Sequence, residues 1–250
     1  MLTATNILNL IDLTSLNDND TTAAITKLCH NAQSEFGAVA AICIYSRFIP
    51  EAKELLNSTA IKIATVVNFP HGSTDIEMAK RETELALNRG ADEIDLVLPY
   101  HELINGNYKV AAEMVNAIKK TCATTTLKVI IESGVLATKD LIEKASLISI
   151  DNGANFIKTS TGKVKINATL AAAEIMLNVI KSSKAECGLK IAGGVRTITE
   201  AFDYTNLTAS IMGEQWITGK NFRFGASSLL GSVIDSIKQV EHKVDNTTTY

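Results

Sequence analysis

Eight short runs of β-branched and apolar residues, each followed by a longer polar-apolar stretch, recur along the chain. They are LIDLT (10–14), VAAICIY (39–45), IKIATVVNF (61–69), EIDLVLPY (93–100), LKVIIES (127–133), NFIKTST (155–161), GLKIAGG (188–194) and FRFGASS (222–228). In the intervening segments, such as 103–120 and 170–181, apolar residues return with helical periodicity. Asn17 or Asp18 and Ser73 or Thr74 are suitable N-caps for two of these helices. Strict alternation of strand and helix requires a parallel sheet with helices packed outside it. Eight such units close naturally on themselves, so the expected fold is α/β, a (β/α)8 TIM barrel. An open doubly wound sheet usually has fewer strands and a glycine fingerprint after the first, and LIDLTSLND contains no glycine.

A length of 250 residues suits one barrel domain spanning 1–250. No linker or change of composition interrupts the pattern, and the polar, aperiodic residues 243–250 are expected to form a flexible C-terminal tail. A net charge of -3 gives no reason to expect a nucleic-acid partner. No apolar run approaches the roughly 20 residues of a membrane span, and the N-terminus lacks a basic, signal-like region. Cys29, Cys43, Cys122 and Cys187 are scattered, as reduced thiols of a cytoplasmic protein would be. The four histidines form no ligand cluster, so no metal is expected.

Barrel strands are covered on both sides and should read as almost continuous apolar runs. Asp12, Asp95, Lys128, Lys158 and Lys190 break that rule. Their neighbours of opposite parity, such as Leu96, Val129, Ile157, Leu189 and Ile191, are apolar, so the five charges are expected to face the lumen. Lys128, Lys158 and Lys190 then stand on adjacent strands, about 4.8 Å apart. Burial and like charge both favour the neutral amine, which is the form that attacks a carbonyl. A purely stabilising ion network is the alternative, but burying two aspartates and three lysines is energetically costly. Lys158 and Lys190 also precede glycine-rich strand ends, the side on which barrel active sites form. For Asp12 and Lys128 a supporting role and a purely structural one are evenly matched.

Three successive strand ends are rich in glycine and hydroxyls: TSTGK (159–163), AGGVRT (192–197) and FGASS (224–228). Barrels commonly bind phosphate there, on backbone N–H groups and a helix N-terminus. Gly162, Gly193, Gly194 and Gly225 would allow close approach, and Lys163, Arg196, Ser227 and Ser228 would add donors.

NFIKTSTGK, GLKIAGGVRT, ADEIDLVLPY and RFGASSLL together closely resemble 2-deoxyribose-5-phosphate aldolase, a class I aldolase family. LIDLTSLND, AAICIY and VVNFPHG resemble that family's first three strands, so the likeness runs from the first strand to the chain end. The resemblance implies a (β/α)8 barrel that reversibly cleaves 2-deoxy-D-ribose 5-phosphate to D-glyceraldehyde 3-phosphate and acetaldehyde, in cytoplasmic deoxyribonucleoside breakdown. It implies Lys158 as the imine-forming lysine, Lys190 as the lysine that lowers its pKa, and Asp95 as the acid/base aspartate. It places Gly162, Lys163, Gly193, Gly194, Arg196, Gly225, Ser227 and Ser228 on phosphate-binding loops, and calls for no cofactor. Some members of the family end in tyrosine, which makes Tyr250 a candidate proton relay. A homodimer is among the assemblies open to such a barrel.

Two positions depart from the family pattern. Ile191 follows Lys190 where proline or a small residue is expected, and Ser46 stands where related bacterial sequences have proline. Two rival functions share much of this pattern. One is a Schiff-base barrel for another phosphosugar, of transaldolase or fructose-aldolase type. The other is a catalytically silent phosphosugar binder, although a pure binder gains nothing from buried lysines.

Overall fold

The computed structural model describes the backbone of residues 2–247 and the side chains of residues 2–240. Eight parallel strands close into a barrel in sequence order: β1 (Ile11–Thr14), β2 (Ala41–Ile44), β3 (Lys62–Val67), β4 (Glu93–Val97), β5 (Thr126–Ile130), β6 (Phe156–Lys158), β7 (Gly188–Ala192) and β8 (Phe222–Ala226). The expected (β/α)8 architecture is therefore the one observed. All eight strands are shorter than the runs read from the sequence. The excess lies chiefly at their C-terminal ends, where LPY, IES, TST, GG and SS leave the sheet.

Helix starts differ from the sequence expectation. Thr21 caps the helix Thr22–Asn31 by accepting from the Ala24 N–H, and Asp75 caps Ile76–Asn88 by accepting from the Met78 N–H. Asn17 instead donates to the Asp20 carboxylate within a turn, and the Ser73 hydroxyl accepts from the Asp75 N–H. The helical stretch expected over 103–120 is two helices, Tyr100–Ile104 and Tyr108–Cys122, because Gly106 at φ +82° breaks the run. A two-residue antiparallel ribbon, Gln33–Ser34 with Gly37–Ala38, has no counterpart in the alternating pattern.

The last helix runs from Leu229 to Thr247, so residues 243–247, read as a tail, continue it as backbone. Tyr250 lies outside the described residues. No helix among them is long and apolar enough to cross a membrane.

The main apolar core lies between strands and helices, where Ile42, Ile94, Val129, Ile157, Leu189 and Ile191 are fully buried. Ile191 faces the helices, as its parity requires. A second, small apolar cluster, separate from this core, is formed by Leu16, Cys43, Ala64 and Val66. Barrel interiors are commonly filled by bulky branched residues. Here much of that volume is taken by buried charges, including Lys128 and Lys190 at 0% exposure.

Candidate active site

Parallel register sets the charges in the lumen. Asp95 pairs with Lys128 across β4 and β5, Lys158 with Lys190 across β6 and β7, and Lys190 with Arg223 across β7 and β8. Lys158 is the last residue of its three-residue strand, so its side chain stands at the C-terminal end of the barrel.

Asp95 is the hub. Its Oδ2 accepts from Lys158 Nζ at 2.7 Å and from Lys190 Nζ at 2.8 Å, and its Oδ1 accepts from Lys128 Nζ at 2.9 Å. Asp12 pairs with Lys190 at 2.5 Å and with Arg223 at 2.7 Å, and lies 3.8 Å from Lys128. Glu93 takes Lys128 at 2.5 Å and Arg223 at 3.2 Å. All five charges singled out in the sequence thus converge on one buried cluster. Glu93 and Arg223 complete it, and sequence reasoning passed over both. The signal was present: Glu93 shares parity with Asp95, and Arg223 with Gly225, inside the same strand runs.

The three lysines are not equivalent. Burial pushes the Lys158 amine down, Lys190 adds to that shift, and Asp95 opposes it without reversing it. Burial pulls Lys190 down as well, but Asp12 and Asp95 outweigh it and hold the ammonium above the ordinary lysine value. Lys128 is likewise raised, Asp95 and Glu93 overcoming its burial. For Asp95, burial favours the neutral acid, yet the three lysines prevail and hold the carboxyl well below its ordinary range. Asp12 is held low in the same way by Lys190, Arg223 and Lys128 against burial.

A cavity of about 350 Å³ opens above this cluster. Lys158 is the one member of the charged cluster that lines it; Asp12, Asp95, Lys128 and Lys190 lie beneath. The walls include all eight residues expected to bind phosphate: Gly162 and Lys163, Gly193, Gly194 and Arg196, and Gly225, Ser227 and Ser228. Gly193 adopts φ +80°, and a Cβ there would come within 2.7 Å of the Asn167 side chain, so glycine is required. Gly225 meets a different demand, because a Cβ would stand 3.0 Å from Lys190 Cε and narrow the channel that this lysine threads. Ser227 and Ser228 directly precede the helix Leu229–Thr247, placing its N-terminus beside the cavity.

Some contributors were not foreseen. Thr14 to Asn17, after β1, form a further wall, and Lys163 Nζ donates to the Leu16 carbonyl at 2.6 Å. Asn167 also lines the cavity, and its Oδ1 has no partner among the described residues. Glu132, which has the same parity as Lys128 in the run 127–133, lies beyond the end of β5 in a left-handed conformation at φ +55°. Its buried carboxylate accepts from the Thr161 hydroxyl at 2.6 Å and from the Thr161 N–H at 3.3 Å, tying down the loop after β6. Ser46 opens a short 3-10 turn, and its hydroxyl accepts from Arg89 at 3.1 Å, a contact that proline lacks. No group of three or more His, Cys, Asp or Glu side chains among the described residues could hold a metal ion.

The family model for DeoC/LacD aldolases matches residues 6–231. Among solved structures, a protein from Coccidioides immitis provisionally assigned as a deoxyribose-phosphate aldolase is similar at 27% identity. It has a TM-score of 0.83, and the alignment covers 94% of this chain and 87% of that one. A Toxoplasma gondii protein with the same provisional assignment shares 25% identity at a TM-score of 0.87, covering 94% and 96% of the two chains. The tetrameric deoxyribose phosphate aldolase of Aeropyrum pernix has the same fold, with 22% identity, a TM-score of 0.77, and coverage of 95% and 93%.

Proposed function

The chain belongs to the DeoC/LacD family of aldolases, and we propose that it cleaves 2-deoxy-D-ribose 5-phosphate through a Schiff base on Lys158. One observation carries this reading. Of the three buried lysines, Lys158 alone reaches the cavity, and it alone has its amine pushed down rather than up. A carbonyl carbon entering the cavity therefore meets the lysine that is most readily neutral.

In the forward reaction the Lys158 amine adds to the C1 aldehyde of the open-chain sugar, and loss of water leaves an iminium. Asp95, through a water, takes the proton of the C3 hydroxyl as the C2–C3 bond breaks. The bonding pair moves into the C1–C2 bond, giving an enamine on Lys158, and glyceraldehyde 3-phosphate departs. Protonation at C2 and hydrolysis release acetaldehyde and restore the amine. Lys190 remains protonated throughout, orienting Asp95 and disfavouring a charge on the Lys158 amine. The glycine turns and the helix N-terminus after β8 offer N–H donors to the phosphate, and Lys163 and Arg196 offer charge. The reading carries with it a role in deoxyribonucleoside breakdown in the cytoplasm.

Borohydride reduction in the presence of acetaldehyde tests the assignment. Peptide mass spectrometry should find an ethyl group on Lys158, and Lys158→Ala should show neither adduct nor turnover. Labelling at Lys190 or Lys128, or cleavage surviving in Lys158→Ala, would sink the proposal.

A further inference from the structure

Beneath the cavity the ion pairs form a closed circuit. From Arg223 it passes to Asp12 (2.7 Å), then Lys190 (2.5 Å), Asp95 (2.8 Å), Lys128 (2.9 Å) and Glu93 (2.5 Å), and returns to Arg223 (3.2 Å). The six groups alternate in sign, cation and carboxylate, all the way around. Each cation touches at least two carboxylates and each carboxylate at least two cations of the circuit, with Lys128 and Asp12 also facing each other across it at 3.8 Å. Lys158 is the seventh group. It hangs on Asp95 Oδ2 from outside, sharing that oxygen with Lys190 and having no second carboxylate within ion-pair distance among the described residues.

We propose that Arg223 and Glu93 are positioning residues that close this ring, and that the neutral ring makes Lys158 the surplus cation, the amine that gives up its proton. The inference rests on Lys158 being the nucleophile. The closure is made at the end of the barrel away from the cavity. There Arg223 and Glu93 border a second opening of about 580 Å³, lined also by Phe156 and Asn221. Arg223 is pinned there by the Gly219 carbonyl and lies 5.9 Å from the Phe156 ring centroid. Neither residue borders the substrate cavity, so each must act through the groups between.

Most of the charged side chains around Lys158 belong to the ring itself. β1 contributes Asp12, β4 Asp95 and Glu93, β5 Lys128, β7 Lys190 and β8 Arg223, all members of the ring. β2 contributes Cys43, whose thiol burial pushes further up, and β3 contributes the apolar Ala64 and Val66. Outside the ring, Glu132, beyond β5, has its carboxyl pushed up by burial, with Thr161 and Lys158 opposing that rise, and Lys163 lines the same cavity as Lys158.

Charge balance then makes predictions of opposite sign. Arg223→Met removes a cation, so the surplus disappears and Lys158 keeps its proton to higher pH. Glu93→Gln removes a carboxylate, so the surplus grows and Lys158 loses its proton earlier. The double variant removes one charge of each sign and should lie near wild type. Arg223 stands two strands from Lys158, roughly 10 Å away, which makes a shift on the order of one pH unit reasonable for each single variant.

The measurement is competitive labelling with acetic anhydride across pH, with the Lys158 peptide quantified by mass spectrometry. It reads the amine directly and needs no turnover. The midpoint should move up in Arg223→Met, down in Glu93→Gln, and back to within a few tenths of a unit of wild type in the pair, on the order of the pairwise coupling lost. Should Arg223→Met fail to fold, the double variant must still titrate above Glu93→Gln. Midpoints that move in the same direction in both single variants, or in neither, overturn the ring's role. Acetaldehyde trapping on the wild type is run alongside. Failure there removes the Schiff-base reading, whereas the labelling midpoints judge the ring independently.

Discussion

Replacing Lys190 by methionine removes the cation nearest to Lys158 while keeping an unbranched chain. The shape matters, because Gly225 and Ala192 leave a narrow channel around Lys190 Cε. Lys158 and Lys190 donate to the same Asp95 oxygen from 2.7 and 2.8 Å, which puts the two nitrogens roughly 4–5 Å apart. At an effective dielectric constant of about 20, like charges at that separation repel by about 3–4 kcal/mol. One pH unit corresponds to about 1.4 kcal/mol, so loss of the repulsion alone would raise the Lys158 pKa by roughly 2.5 units. Unmasking Asp12 and Asp95 acts in the same direction, whereas relaxation of the cluster reduces the shift. We expect about 2 units upward, hence about 100-fold less neutral amine at any pH below the wild-type midpoint, the gap closing between the two midpoints. Imine formation with acetaldehyde, trapped by cyanoborohydride from pH 6 to 10, would show the loss near neutrality and its recovery at alkaline pH. A variant slowed equally at every pH would refute the tuning role and leave Lys190 as packing for Asp95.

Two further outcomes follow from the cavity and from the acids beneath it. Arg196→Ala should raise KM for deoxyribose 5-phosphate by about tenfold, as loss of one charged hydrogen bond implies, and should leave activity on unphosphorylated deoxyribose unchanged. Equal losses on both sugars would assign Arg196 to the fold. Asp12 has its folded pKa depressed, so its stabilising contribution is present above the unfolded value of about 3.9 and is lost as pH falls below it. The destabilisation caused by Asp12→Asn in urea unfolding should therefore be full at pH 7 and shrink below about pH 4. A penalty that stays constant down to pH 3 would contradict the depressed pKa.

What the sequence revealed and what it hid follow from the same geometry. Period-two alternation is a local property, and it placed Asp12, Asp95, Lys128, Lys158 and Lys190 on the lumen side without reference to any partner. Strand ends were less legible, because the β-branched and hydroxyl residues of TST and the glycines of AGG prolong a strand-like composition into loops that serve the cavity. The helix starts were misjudged for a related reason. Asn17, Asp18 and Ser73 are good caps by type, but their loops turn once more before the helix begins.

Glu93 and Arg223 show where parity alone runs out. Both stand near the start of a strand run, where a charge can equally well project into solvent at the foot of the barrel, and nothing local distinguishes that outcome from burial. Their meaning depends on closure, because β1, β4 and β8 bring Asp12, Glu93 and Arg223 into one circuit only when the sheet has curled fully round. Closure also changes the chemistry. An open sheet would leave three lysines competing for Asp95 on similar terms. In the barrel two of them find a second carboxylate, Asp12 for Lys190 and Glu93 for Lys128, and these are the two whose protons are held more firmly. The third finds none among the described residues and faces the cavity. The identity of the reactive amine is thus a consequence of topology as much as of residue type. A lysine moved to β5 or β7 of the same barrel would inherit a carboxylate pair and hold its proton.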